Sequence, residues 1–250
     1  GERGRITLEF TGTGSLGSAL WAWGARRGMS ERMNFDLRTA AALRGAGVIG
    51  TVVGLIVLAA GVAAPPIGAL VVFVWVWLSR TPFGDIGLKR PGSWLGAIAV
   101  GVIAGVALKL FMKAVVMRYA GAPDAAFVYQ HVRGDLPAFL IEVPQMIVLA
   151  GFAEEVVFRG FFVNRLTALW GSSAASGVAM VAVTAAVFGP IHYLTQGFFG
   201  ALQATIVGVL FAAVYLLNGR RLWSLVFAHG AFDVCALALI YSGMEETVAR

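Results

Sequence analysis

From about residue 46 onward the chain is a succession of long apolar runs, broken by short stretches containing Gly, Pro or Arg. A helix crossing a bilayer needs about 20 apolar residues. Runs of that kind lie at roughly 46–63, 66–79, 94–117, 137–170, 173–193, 197–217 and 222–242. The pattern predicts an all-α fold, a polytopic transmembrane helical bundle of about seven spans, or six to eight depending on the counting. The first two runs are separated only by Ala64-Pro65-Pro66, and the second is short, so this pair reads as a tight hairpin or a re-entrant element. The fourth run is too long for one straight span. Pro144 is expected to divide an interfacial first part from the spanning helix. Gly50-xxx-Gly54 and Gly101-xxx-Gly105 would let helices approach closely and read as packing faces.

Composition agrees with this pattern. The chain of 250 residues is 59% hydrophobic and 13% charged, whereas a soluble domain carries roughly 25% charged residues. It reads as an integral membrane protein with one transmembrane domain over 45–250 and a catalytic core at 137–242. Residues 1–44 are a polar, Arg- and Gly-rich tail expected to be disordered. Within it, residues 1–28 read as upstream or vector-derived sequence, with Met29 or Met33 as alternative starts.

The net charge of +6 is explained by basic residues flanking the apolar runs, so no nucleic-acid partner is expected. Alternating the spans from a cytoplasmic N-terminus places Arg80, Lys89, Arg90, Arg165, Arg220 and Arg221 on one side, together with the arginines of the tail. Lys113, Arg118, Arg133 and Arg250 fall on the other. The asymmetry favours an N-in orientation in a bacterial inner membrane. The single cysteine, Cys235, lies in an apolar run, which excludes an internal disulfide and a cysteine metal cage.

Chemistry concentrates in Glu154-Glu155-Val-Val-Phe-Arg159. Ionisable groups in hydrocarbon cost ~2.5–3.5 kcal/mol each on insertion scales and mark functional sites. Glu155 and Arg159 are spaced i,i+4 with the acid first, the favourable order for an ion pair. This pairing leaves Glu154 as the free carboxylate. Glu154 lies 18 residues before Ser172, and His192 lies 19 after Ser173. On antiparallel helices both sit ~27–29 Å from that turn, so the two are expected to meet at one depth. Pro190 should kink the helix and aim His192 into a cavity. His229 and Asp233 are again i,i+4, so the carboxylate is expected to accept a ring N–H and fix the imidazole tautomer.

Glu154-Glu155-Val-Val-Phe-Arg159, then Phe188-xxx-His192, then His229-xxx-Asp233, resemble the motifs of the CPBP family of intramembrane proteases. That family includes type II CAAX prenyl endopeptidases, Abi proteins and bacteriocin-immunity relatives. The resemblance implies an intramembrane endopeptidase acting on a peptide or membrane-protein substrate in the bilayer. Carried over by motif position, Glu154 and His192 activate the attacking water and His229 stabilises the oxyanion. Asp233 orients His229, Glu155 and Arg159 brace the helix, and Phe188 packs against the site.

Glu154, His192 and His229 would also make a three-ligand zinc site with one position left for water. The lack of HExxH, and of any supporting carboxylate besides Asp233, favours no tightly bound metal. Two alternatives stand beside the protease. One is an inactive immunity or scaffold relative of the same fold, and the other is a proton-coupled transporter.

Overall fold

The computed structural model describes residues 36–122 and 127–245. The chain divides into two compact units, 1–41 and 42–250. The described part of the first, residues 36–41, is helical, and residues 1–28 of the expected tail lie outside the described residues. In the second unit the described residues form seven long helices, two short 3-10 helices (Phe83–Ile86 and Phe127–Val132) and no strand. They are α1 (Val48–Ala63), α2 (Pro65–Ser79), α3 (Trp94–Met117), α4 (Leu136–Trp170), α5 (Ala174–Ile191), α6 (Tyr193–Leu217) and α7 (Trp223–Ser242). By length and composition, α3 to α7 can each cross a membrane. The shorter α1 and α2 form the expected hairpin, turning at the extended Ala64 and restarting on Pro65 at the first helical position. A methyl group on Gly68 would strike the backbone of Gly61, so the two helices touch main chain to main chain.

The polarity of the bundle suits a lipid solvent. Large apolar side chains such as Leu95, Ile103, Leu194 and Leu217 point outward, while Glu155, Arg159 and Arg165 are buried. The chain is an integral membrane protein.

Two expectations about local structure change. Pro144 does not divide the fourth run: α4 is one helix of 35 residues. The turns after the proline widen to π spacing over Met146–Phe152 and again over Glu155–Phe162. A widened turn absorbs the missing N–H without breaking the axis. The polar tail, for its part, is not irregular to its end, because Asp36–Arg44 is helical. Its last carbonyls are held by a long-range cap. Arg165 of α4 donates to the carbonyls of Arg44 and Gly45, both at 2.6 Å. Gly50 and Gly54 leave room for that guanidinium: a methyl on Gly50 would sit 3.0 Å from Nη2 and one on Gly54 3.5 Å from Nε.

Glycines also set the spacing around the polar core. Gly101 of α3 lies against Phe227 and the Ser224 carbonyl, and Gly105 lies against the backbone of Ala228, so α3 and α7 run parallel in near contact. Gly151 of α4 lies against Gly230 of α7, where an added methyl would be 2.8 Å from the Gly230 nitrogen. This crossing is one turn from Glu154 and Glu155 and adjoins His229.

Gly105→Ala should destabilise the bundle by about 1–3 kcal/mol, the usual cost of overpacking. Gly92→Ala, where a methyl meets nothing within 4 Å, should be close to neutral. Thermal unfolding in detergent checks the pair; equal midpoints would remove the α3–α7 approach as a constraint.

Candidate active site

The approach of Gly151 to Gly230 brings the acidic face of α4 against the histidine of α7. Glu155 and Arg159 share that face, and Arg159 Nη1 donates to Glu155 Oε1 at 2.8 Å. The same oxygen accepts from His229 Nδ1 at 2.9 Å. One carboxylate oxygen thus joins a guanidinium on its own helix to an imidazole on another. Glu155 and Arg159 are almost wholly excluded from solvent, at 0% and 1% exposure, so neither can turn to water for a partner. Aromatic rings close over the cation: the guanidinium carbon lies 4.4 Å from the centre of the Phe188 ring and 5.6 Å from that of Phe211.

The second nitrogen of His229 faces acids at longer range, Asp233 Oδ2 at 3.5 Å and Glu154 Oε2 at 3.9 Å. The expected division of labour therefore changes. Glu155, not Asp233, makes the short hydrogen bond that fixes the ring of His229 and keeps a proton on Nδ1. The i,i+4 geometry of α7 does bring Asp233 near the ring, but the helix crossing brings Glu155 closer. Phe188 and Phe211 stand edge-on to the imidazole, with ring centres 6.1 Å and 5.6 Å away. Phe211 was not singled out from the sequence, where it is one apolar residue within a long apolar run.

His192 reaches the site from a helix end. Helix α5 stops at Ile191, and the His192 N–H bonds to the Gly189 carbonyl. The Phe188 carbonyl instead accepts from His192 Nδ1 at 2.8 Å. A carbonyl only accepts, so Nδ1 carries the proton and a neutral His192 has its lone pair on Nε2. The Pro190 step thus lies at the end of a helix, about two turns before the bend at Gly197 (φ 67°, ψ −167°). The positive φ at Gly197 is one that glycine adopts without strain.

Glu154, His192, His229 and Asp233 all line one cavity of about 580 Å³, as does Phe188. Glu154 is buried, and its Oε2 has no hydrogen-bond partner among the described residues. The cavity wall also includes Lys109 and Lys113 of α3, Gln203 of α6 and Tyr129 of the connection before α4. Burial pushes the Tyr129 phenol above its ordinary range, so it stays a protonated hydrogen-bond donor. Among the described residues, no three His, Cys, Asp or Glu side chains are gathered so as to hold a metal ion. The set Glu154, His192 and His229 does not fit a three-ligand zinc centre as placed, and no step below is routed through a metal.

A family model, described as type II CAAX prenyl endopeptidase Rce1-like, matches residues 136–235. This part of the chain belongs to the Rce1-like family. The match starts with the first residue of α4 and ends two residues past Asp233, so the Rce1-like segment contains the whole Glu154–Asp233 constellation. Comparison with curated proteins and with solved structures finds no match. The likeness to a peptidase family is therefore one of residues 136–235, within an integral membrane protein. The two lysines of α3 lie outside the matched segment.

Removing the Glu155 carboxylate leaves Arg159 buried without its anion, which should cost about 3–5 kcal/mol. Glu155→Ala should accordingly lower the unfolding midpoint in detergent far more than Glu154→Ala. The double variant Glu155→Leu/Arg159→Leu should recover much of the loss. If the double variant is as unstable as the sum of the singles, the two residues are not acting as a pair.

Proposed function

We propose that the chain is an intramembrane endopeptidase in which Glu154 and His192 hold and activate the water that attacks a peptide carbonyl. The observation that carries this reading is the unpartnered, buried Glu154 Oε2 in the same cavity as His192. The Nδ1 hydrogen bond to Phe188 leaves His192 Nε2 as an acceptor. A water donating one proton to each acceptor keeps a lone pair to attack. Glu154 takes a proton from it as the carbon–oxygen bond forms, and later returns that proton to the leaving amine.

The negative charge then develops on the former carbonyl oxygen. His229 has an acid facing each ring nitrogen, with Glu155 at Nδ1 and Asp233 and Glu154 around Nε2. A doubly protonated ring is satisfied in that setting, and its Nε2–H is the donor for the oxyanion. An ionised Asp233 has no proton to give, so its part is to keep that N–H oriented until the oxyanion forms. Arg159 holds Glu155, and Glu155 holds the ring.

The bilayer brings the substrate, a peptide or membrane-anchored segment. A bacterial inner membrane with the N-terminus cytoplasmic agrees with the distribution of Arg and Lys described above. In that orientation the Lys113 end of α3 faces outward.

In purified full-length protein, cleavage of a membrane-tethered reporter peptide should fall about 10²–10⁴-fold in Glu154→Gln and in His192→Ala. Unchanged cleavage in both variants would sink the mechanism. Cleavage is also expected to survive a chelator. Loss of activity with EDTA, restored by zinc, would mean that the donor set rearranges to hold a metal and that the water is activated there.

A further inference from the structure

The groups used by the proposed mechanism do not balance in charge. Glu154, Glu155 and Asp233 bring three carboxylates to the polar core, whereas Arg159 and a doubly protonated His229 bring two cations. A net negative charge enclosed by apolar helices is unfavourable. The readiest relief is for one carboxylate to take up a proton, and it then ceases to be an anion.

Lys109 of α3 removes the imbalance from outside the site's motifs. It lines the same cavity as Glu154, His229 and Asp233. Helices α3 and α7 run parallel in near contact, with Gly105 against Ala228. One turn further on, Lys109 Nζ lies 4.7 Å from the centre of the Phe232 ring. The next residue of α7 is Asp233, whose carboxylate and the Lys109 ammonium attract each other. The ammonium also donates to Gln203 Oε1 of α6 at 3.4 Å. Lys109 is thus placed among α3, α6 and α7, with a ring face and an amide oxygen as neutral partners and Asp233 as its anion.

The remaining groups around Asp233 do not supply that charge. His229, on the same helix, is already shared with Glu155 and Glu154. From α4, Glu155 and Glu154 add negative charge beside Asp233. The connection before α4 contributes the phenol of Tyr129, which stays neutral. Lys113 is a turn nearer the end of α3 at Met117, where its long stem can carry the charge to the interface.

We propose that Lys109 is a positioning residue, the counter-ion that keeps Asp233 an anion against the Nε2–H of His229 and so holds that N–H in place for the oxyanion. This rests on the protease reading, which gives His229 that task. Lys109 acts through Asp233 and His229 and does not meet the reacting atoms. What it supplies is charge rather than shape, so arginine meets the requirement and methionine, of similar length, does not. The requirement also holds only while residue 233 is charged. Asparagine there keeps an oxygen that can accept the Nε2–H and removes the negative charge, which makes a neutral residue at 109 the better match.

The test is a double-mutant cycle on purified full-length protein in detergent, with cleavage of the membrane-tethered reporter peptide resolved into kcat and KM. Lys109→Met should lower kcat about tenfold or more, as expected for coupled neighbouring groups, with little change in KM. Lys109→Arg should keep most of the wild-type kcat. The double variant Lys109→Met/Asp233→Asn should recover most of what Lys109→Met loses. It should also be faster than Asp233→Asn, in which a buried cation is left without its anion. A merely structural role gives the reverse order, because two independent core substitutions add and the double variant is then the slowest.

Wild-type kcat retained in Lys109→Met would overturn the proposal and leave the protease reading standing. A raised KM at unchanged kcat would assign Lys109 to substrate binding and overturn it equally. A double variant no faster than Asp233→Asn would overturn it too, and that comparison decides the matter even where Lys109→Met alone does not fold. Absence of cleavage by the wild type would instead sink the protease reading, and this inference with it.

Discussion

One carboxylate oxygen organises the centre of this bundle. Glu155 Oε1 receives Arg159 from its own helix and His229 from α7, and the second of these hydrogen bonds depends on the close approach of Gly151 to Gly230. A methyl on Gly151 would press on the Gly230 backbone at 2.8 Å, so this approach of α4 to α7 depends on Gly151 having no side chain. Backbone packing and active-site chemistry are thus coupled within a single turn of helix. The same logic explains why the cation is roofed by Phe188 and Phe211. Their ring faces attract a guanidinium while excluding the water that would loosen the pair.

Around that rigid node, the remaining groups come from places where helices end or bend. His192 follows the last residue of α5 and uses a carbonyl that the helix end leaves available. Gly197 turns the chain immediately afterwards, so the cavity wall between His192 and Phe199 is made by a bend rather than by a straight helix. A helix interior satisfies its own backbone, whereas a helix end has orphan groups that can be lent to a side chain. The site therefore combines a node fixed in helix interiors with a histidine whose tautomer is fixed by a helix end.

Much of the architecture was legible because membrane spans are coded by length. The seven apolar runs correspond to the seven helices of the second unit, and the Ala64-Pro65 hairpin follows from proline at a first helical position. Hairpin arithmetic on Glu154 and His192 works because it needs only the rise per residue, and both residues line the one cavity. What misled was local reasoning applied to long-range facts. The i,i+4 pair His229–Asp233 looks self-sufficient, yet the closer acid comes from 74 residues away. Pro144 looks like a break, yet π-spaced turns absorb it. Arg44 looks like the end of a tail, yet Arg165 caps its carbonyl from 121 residues away. Lys109 carries no motif, and only the placement of α3 beside α7 turns a lone intramembrane lysine into part of a cavity wall.

Burying Glu155 with Arg159 is hard to explain as stabilisation. A well-packed apolar pair of similar volume is often as stable as a buried ion pair or more so, and the lipid-facing surface has no shortage of apolar side chains. What an apolar pair cannot do is hold an imidazole. A doubly protonated His229, the form that can donate from Nε2 into the cavity, needs a charged acceptor on Nδ1, and a lone buried carboxylate serving that purpose would itself be uncompensated. Arg159 supplies the compensation from one helical turn away, where the favourable Glu-before-Arg order applies. The ion pair then places behind the histidine a charged acceptor that Arg159 itself balances. On this reasoning Arg159 bears on His229 through Glu155, and its effect there is electrostatic before it is structural.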